Sequence, residues 1–246
     1  MGKIQFQNVN KVYPNGFHAI HDFNLDVDDG EFIVFVGPSG CGKSTTAALL
    51  MRFCDAAAGH IYMEGKDYHS MKPEELRKHI AMVPQQVNLF SGTIRDNLLL
   101  ADPDADDETL MEAVKEAGLL KFVQSLEKGL DSDVGNAGAS LSGGQRQKIG
   151  IARALLSKAE YMIFDEATSS VDPESEKEIW ETIGHLAHTR TLIIISHRMS
   201  SVRSADCIYV LKDGKVAQQG NHDTLMAQDG LYRELVVRQQ AMEVAE

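Results

Sequence analysis

The stretch Gly37-Pro38-Ser39-Gly40-Cys41-Gly42-Lys43-Ser44-Thr45 limits what this chain can fold into more than any other. Before it runs Phe32-Ile33-Val34-Phe35-Val36, a short continuous apolar segment of the kind that forms a strand buried on both faces of a parallel sheet. After it, Thr45 to Phe53 has helical composition and an apolar stripe. A glycine-rich turn from buried strand to helix is the context in which the spacing G-x-x-x-x-G-K-[ST] carries meaning. Glycines let the backbone curl around an anion with N–H groups pointing inward, because side chains would hold the anion away and some positions need φ > 0. The helix N-terminus adds about half a positive charge. Lys43 can then reach the β- and γ-phosphates of a nucleotide, and the Ser44 hydroxyl is placed to ligate Mg²⁺. The stretch reads as a phosphate cradle.

The flanking sequence predicts the scaffold. Lys3 to Val9 alternates apolar and polar residues, as a half-buried strand does, and His18 to Val27 alternates again after the turn signal Pro14-Asn15-Gly16. Together they suggest an antiparallel sheet leading into the buried strand. Tyr13, on the connection between them, offers a flat face on which a purine base can stack. Ile61 to Met63 and Ile80 to Val83 are further strand candidates, with a short helix opening at Pro73, and Pro84-Gln85-Gln86 then breaks the pattern. Thr93 to Leu126 reads as helical, with an acidic run at Asp102, Asp104, Asp106, Asp107, Glu108, Glu112 and Glu116 that forms a solvated face; Asp106 or Asp107 caps the helix near Glu108.

Three later features carry chemistry. Leu141-Ser142-Gly143-Gly144-Gln145 precedes a well-patterned helix over Arg146 to Ser157, which makes a second anion site at a helix N-terminus with no obvious use in a single nucleotide-binding domain. Tyr161-Met162-Ile163-Phe164-Asp165-Glu166 is a buried strand ending in two carboxylates; one can organise Mg²⁺ and the other can polarise an attacking water. Leu192 to Ile195 is another buried strand and ends at Ser196-His197, on the sheet edge where ligands bind in open α/β folds. Ile208 to Leu211 and Val216 to Gln219 flank Lys212-Asp213-Gly214-Lys215, a hairpin signature.

Composition excludes several function classes. With 24 Lys plus Arg against 36 Asp plus Glu and a net charge of −12, a nucleic-acid backbone is not the main partner. No apolar run reaches the roughly 18 residues that cross a bilayer, and the N-terminus has no signal-peptide pattern, so the chain reads as soluble and cytosolic. Cys41, Cys54 and Cys207 form no C-x-x-C pair, which indicates neither a zinc site nor a disulfide framework.

In this order the pieces resemble the ATP-binding cassette family, specifically the nucleotide-binding domain of a transporter, from about Ile4 to Gln239. Walker A is Gly37 to Thr45, the glutamine loop centres on Gln85, the signature is Leu141 to Gln145 and Walker B is Tyr161 to Glu166. The D-loop is Ser169-Ser170-Val171-Asp172 and the switch histidine is His197. The signature discriminates, because its chance occurrence is on the order of once in several thousand chains. The resemblance implies an α/β fold: a P-loop NTPase core with a mixed parallel sheet, an N-terminal antiparallel β subdomain and an inserted α-helical subdomain. It implies a core at residues 1–85 and 158–246 and a helical signature subdomain at 86–157. By the same similarity, Gly37, Ser39, Gly40, Cys41, Gly42, Lys43, Ser44 and Thr45 hold the phosphates of ATP, and Tyr13 stacks on adenine. Ser44, Gln85 and Asp165 surround Mg²⁺, Glu166 is the catalytic base, and His197, with Lys43 and Gln85, completes the catalytic set. Two copies pair head to tail, so that Ser142, Gly143, Gly144 and Gln145 of one close over the nucleotide of the other, which accounts for the second anion site. The implied partners are that second cassette and transmembrane transporter segments, with the domain at the cytoplasmic face of the membrane.

Two branches of the family are represented. Ser91 to Asn97 together with Asp133-Val134-Gly135 resembles exporter domains, although those usually carry glutamate at the position of Asn136. Asp29-Gly30-Glu31-Phe32 through Thr46 is more similar to sugar-importer ATPases, so a recombined chain and an unusual natural sequence are both open. An alternative function is a nucleotide-dependent switch module without useful hydrolysis; the presence of every catalytic position weighs against it. DNA-repair cassettes carry long coiled-coil insertions between the Walker motifs, and this chain has none.

Overall fold

A computed structural model describes residues 3–169, 171–196 and 202–243. In chain order they form β1 (Lys3–Val12), β2 (His18–Asp28), β3 (Phe32–Val36), α1 (Lys43–Leu50), β4 (Ala58–Met63), β5 (Lys66–Asp67), α2 (Pro73–His79), β6 (Ile80–Val83), α3 (Ile94–Leu99), α4 (Asp107–Glu116) and α5 (Leu120–Ser125). There follow α6 (Gly143–Leu156), β7 (Tyr161–Asp165), α7 (Pro173–Leu186), β8 (Thr191–Ile195), β9 (Cys207–Lys212), β10 (Lys215–Gly220), α8 (His222–Met226) and α9 (Leu231–Glu243). The chain forms two compact units, one of Met1–Arg77 with Arg190–Glu246 and one of Lys78–Thr189.

The first unit holds two sheets. β1 pairs antiparallel with both β2 and β4, and β5 closes the edge against β4. The alternation anticipated for β1 and β2 puts Ile4, Phe6 and Val9 on the buried side with Phe23, Leu25 and Val27. In the second sheet β3 is central, parallel to β8 on one side and β9 on the other, while β10 returns antiparallel along β9. The turn between β9 and β10 uses Asp213 at φ 49° and Gly214 at φ 75°, the two left-handed residues that a tight hairpin requires. Every residue of β3 is buried, as a central strand with apolar cover on both faces must be. Phe35 joins the sheets by ring contacts to Phe23 at 6.3 Å and Tyr209 at 5.6 Å.

The second unit pairs β6 parallel to β7, Ile80 opposite Tyr161 through Val83 opposite Phe164, and surrounds them with helices. The helical stretch expected over Thr93 to Leu126 is three helices. Gly118 at φ 68° ends α4, which a left-handed glycine does by turning the last amides back onto the helix, and α4 starts at a cap by Asp106. α6 begins earlier than its apolar pattern, because Gly143 and Gly144 are its first residues. Ile149, Ile151 and Ala152 on α6 are fully buried.

Three aspartates at helix starts in this unit have carboxyls below the usual carboxylate range: Asp106 and Asp172, the N-caps of α4 and α7, and Asp96, which closes the capping box of α3 from its third position behind the N-cap Thr93. Asp96 is held there by the Thr93 amide, Asp106 by the Thr109 hydroxyl and amide, and Asp172 by the Ser175 amide and hydroxyl. A depressed folded-state value means that this stabilisation is fully present above the unfolded carboxylate value, about 3.9, and is lost as pH falls through the folded value. Asparagine caps as well as aspartate but does not titrate. The triple variant Asp96→Asn, Asp106→Asn, Asp172→Asn is therefore expected to match the parent's melting temperature near pH 7 and to lose less of it between about pH 4 and 2, as followed by circular dichroism.

Candidate functional site

The cradle residues stand in the first unit, where β3 gives way to α1. Gly37 has φ 150°, and a Cβ there would sit 2.3 Å from the Leu211 carbonyl oxygen. Gly42 has φ 108°, and a Cβ there would sit 2.7 Å from Ile20 Cδ1 and 3.0 Å from the Ala19 oxygen. Both positions demand glycine on conformation and on space. Gly42 is also the N-cap of α1; it offers no side-chain cap, and the first turn carries no acidic residue. The amides of that turn are the ones a helix leaves without intrahelical partners, so the loop presents donors and a positive helix end to an anion.

Lys43 is 4% exposed, and its ammonium donates to the carbonyl oxygens of Gly37 at 2.7 Å and Pro38 at 3.1 Å, with Cys41 Sγ at 3.6 Å. A buried ammonium needs such partners; here they are the loop's own backbone, within reach of the space the loop encircles. Ser39 and Gly40 are exposed on the loop, Ser44 is exposed and Thr45 half-buried on the first turn of α1. Tyr13 occupies the connection between β1 and β2, with its hydroxyl 3.4 Å from Thr45 Oγ1. Its ring stacks against Phe17 at 6.4 Å and carries the Lys11 ammonium 5.3 Å from its centroid. Phe17 and Lys11 were not singled out from the sequence; the signal was a second aromatic across the turn from Tyr13. Ser196 donates its amide to the Phe35 oxygen at 3.2 Å, whereas His197 and the D-loop's Ser170 lie outside the described residues.

The second unit carries the other candidates. β7 delivers Asp165, half-buried, and Glu166, half-buried at φ 50°. A non-glycine residue held in the left-handed region costs on the order of 1 kcal/mol, and such strain gathers at functional positions. Gln85 donates from Nε2 to Ser169 Oγ at 3.0 Å, which ties the glutamine loop to the D-loop. Asp172 caps α7 by accepting from the Ser175 amide at 2.9 Å.

The signature forms the N-terminus of α6. Ser142 is the N-cap; its hydroxyl oxygen accepts from the Gln145 amide at 3.2 Å while Gln145 Oε1 accepts from the Ser142 amide at 2.9 Å. This reciprocal box uses the Gln145 side chain but leaves the Ser142 hydroxyl hydrogen able to donate. The amides of Gly143 and Gly144 belong to the turn without intrahelical acceptors. Gly144 is buried, and a Cβ on it would meet Ser175 Cβ and Oγ at 2.4 Å, so glycine also lets α7 approach. A cleft of about 290 Å³ opens beside the signature, lined by Gln85 to Asn88, Gly143, Arg146 and Gln147 among others.

The sequence profile described as ABC transporter matches residues 20–169 of this chain. The chain belongs to the ABC transporter family. The ABC multidrug transporter mdr1 of Aspergillus fumigatus is 43% identical over 239 residues, 96% of this chain and 18% of its own length. The ATP-dependent lipid A-core flippase 1 of Colwellia psychrerythraea is 42% identical over 217 residues, 88% of this chain and 36% of its own. Among solved structures, a bacterial Atm1-family ABC exporter with ATP bound superposes with a TM-score of 0.91 at 38% identity, covering 96% of this chain and 41% of that one. The cassette thus spans between about a fifth and two fifths of these relatives. It is an ABC cassette homologous to those of exporters. The exporter likeness runs through the importer-like opening segment as well, since only a few residues of the chain fall outside it. No described helix is long and apolar enough to cross a membrane.

If the loop cradles phosphate, Lys43→Ala removes one charge-assisted contact, worth about 1.5–3 kcal/mol, and raises the dissociation constant for ATP ten- to a hundredfold. Titration calorimetry reads this directly; unchanged affinity would refute the assignment.

Proposed function

We propose that the cassette works as one of a head-to-tail pair that binds ATP and couples its hydrolysis to transport through membrane-spanning segments supplied from outside this sequence, at the cytoplasmic face of the membrane. The observation that carries the reading is that one chain has two anion-ready helix ends, the uncapped α1 with its glycine cradle and the signature end of α6. One nucleotide needs the first, and a second copy gives the second its use. The ATPase core is assigned to residues 1–85 and 158–246 and the helical signature subdomain to 86–157.

Tyr13 supplies a face for the adenine ring. Gly37 to Thr45 surround the phosphates with amides, and Lys43 exchanges its carbonyl partners for phosphate oxygens. The amides of the glycine loop, with the oxygen donors Ser44, Gln85 and Asp165, have the chemistry that a Mg²⁺ nucleotide requires. When bound, Mg²⁺ supplies charge neutralisation on the phosphate oxygens. Glu166 accepts a proton from the attacking water, and its constrained backbone sets the direction of the carboxylate. His197 contacts the γ-phosphate. Ser142, Gly143, Gly144 and Gln145 of the second copy bring hydroxyl and amide donors to the same phosphate, where developing charge is stabilised.

Glu166→Gln is expected to bind ATP as the parent does, to lose at least a hundredfold in turnover and to accumulate as an ATP-dependent dimer in size-exclusion chromatography; parental turnover would remove the residue from the role of base. Phosphate release measured against protein concentration should rise more steeply than linearly, because the site requires two chains, and measurable release also separates this reading from a switch module.

A further inference from the structure

α6 does more in its own unit than display the signature. One side of it holds the glutamine loop at three points. Gln147, 3% exposed, donates from Nε2 to the Pro84 carbonyl oxygen at 2.9 Å. At Gly150 a Cβ would lie 2.5 Å from Val87 Cγ2, so Val87 fills the notch that this glycine leaves. Arg153 donates from Nη1 to the Asn88 oxygen at 2.8 Å and from Nε to the Asn97 oxygen at 2.7 Å; Asn97 in turn accepts the Phe90 amide at 2.9 Å and donates to the Phe90 oxygen at 2.9 Å. The anchors stand at i, i+3 and i+6, a row along one side of a helix. Pro84 has no amide, so its carbonyl is its only backbone group to be satisfied, and Gln147 satisfies it.

Gln85 sits directly after the first anchor. The backbone is held at Pro84 and Asn88 and the Val87 side chain is seated against Gly150, while the Gln85 side-chain amide meets Ser169 Oγ at 3.0 Å. We propose that Gln147 is a positioning residue for Gln85: through the Pro84 carbonyl it registers the glutamine loop on the helix that carries the signature, so that Gln85 and Ser142 to Gln145 move as one piece. This rests on the reading that Gln85 serves the nucleotide.

A double-mutant cycle tests it. Gln147→Met keeps the volume and removes the donor. Displacement of a metal- or phosphate-facing group by about 1 Å costs on the order of tenfold or more in rate, so Gln147→Met is expected to lower kcat about tenfold, to raise the half-saturating Mg²⁺ concentration several-fold, and to leave the KM for ATP at saturating Mg²⁺ within twofold. In a Gln85→Ala background the same substitution is expected to have no further effect on kcat, because residues acting through one another are not additive. In the chain free of nucleotide and metal, hydrogen exchange over 85–88 should quicken in Gln147→Met and stay parental in Gln85→Ala. Additive losses of kcat, or unchanged exchange, would show that Gln147 is only packing and overturn the inference. A silent Gln85→Ala would overturn the reading beneath it, and the inference with it, while the exchange data would still report whether the anchor exists. Where Gln147→Met fails to give a cooperative melt, Gln147→Asn, one methylene too short to reach Pro84, serves in the same cycle.

Discussion

The close approach of backbone to backbone around the turn from β3 to α1 is the constraint on which the first unit depends. Leu211 on β9 presses against Gly37, and Ile20 and Ala19 on β2 press against Gly42. The loop's shape is therefore set by the strands around it rather than by its own side chains. A glycine-only path there leaves a concavity lined with amides, and Lys43 satisfies its charge on the Gly37 and Pro38 carbonyls until an anion competes for it. A phosphate oxygen carries a full negative charge and attracts the ammonium more strongly than a neutral carbonyl oxygen at the same distance does, so an anion in the loop can compete for Lys43.

In the second unit the same economy appears in α6. At its N-terminus the Ser142 oxygen and the Gln145 side chain form a capping box that leaves the Gly143 and Gly144 amides out of it. Its first turn fits against α7 because Gly144 has no Cβ, and Lys148 pairs with Glu178 of α7 further along. Arg153 is half-buried with hydrogen bonds to neutral oxygens of Asn88 and Asn97, and burial pulls its guanidinium below the ordinary arginine value. A cation in that setting serves geometry, since two of its nitrogens donate to the Asn88 and Asn97 backbone carbonyls and the third to the Asn97 side-chain oxygen. The helix reads as a ruler along which signature, glutamine loop and D-loop helix are spaced.

Much of this was legible in the chain. The Gly37–Thr45 turn, the buried runs of β3, β7 and β8, the alternation of β1 and β2 and the Asp213-Gly214 hairpin all appear where local pattern put them. The failures have physical causes. Thr93 to Leu126 has helical composition throughout and Asp106 caps α4 as its sequence indicated, but the left-handed Gly118 ends α4, a break that composition alone did not mark. α6 starts at Gly143 rather than Arg146 because a capping box, and not apolar periodicity, sets a helix start. Phe17, Lys11, Gln147 and Arg153 gave no motif signal, being ordinary residues near more distinctive ones.

The sequence by itself determined the chemistry that is written in short spacings: the glycine cradle with Lys43 and Ser44, the signature box from Ser142 to Gln145 and the acid pair Asp165 and Glu166. Each is a pattern of residue types within a few positions of one another, so any window that contains it shows it. Tertiary structure alone decided which strands flank β3, that Gly37 and Gly42 are crowded by β9 and β2, and that Gln147 reaches Pro84, 63 residues away, and Arg153 reaches Asn97, 56 residues away. Contacts across such separations follow from how buried faces pack, and packing is a property of the whole folded surface rather than of any window along the chain.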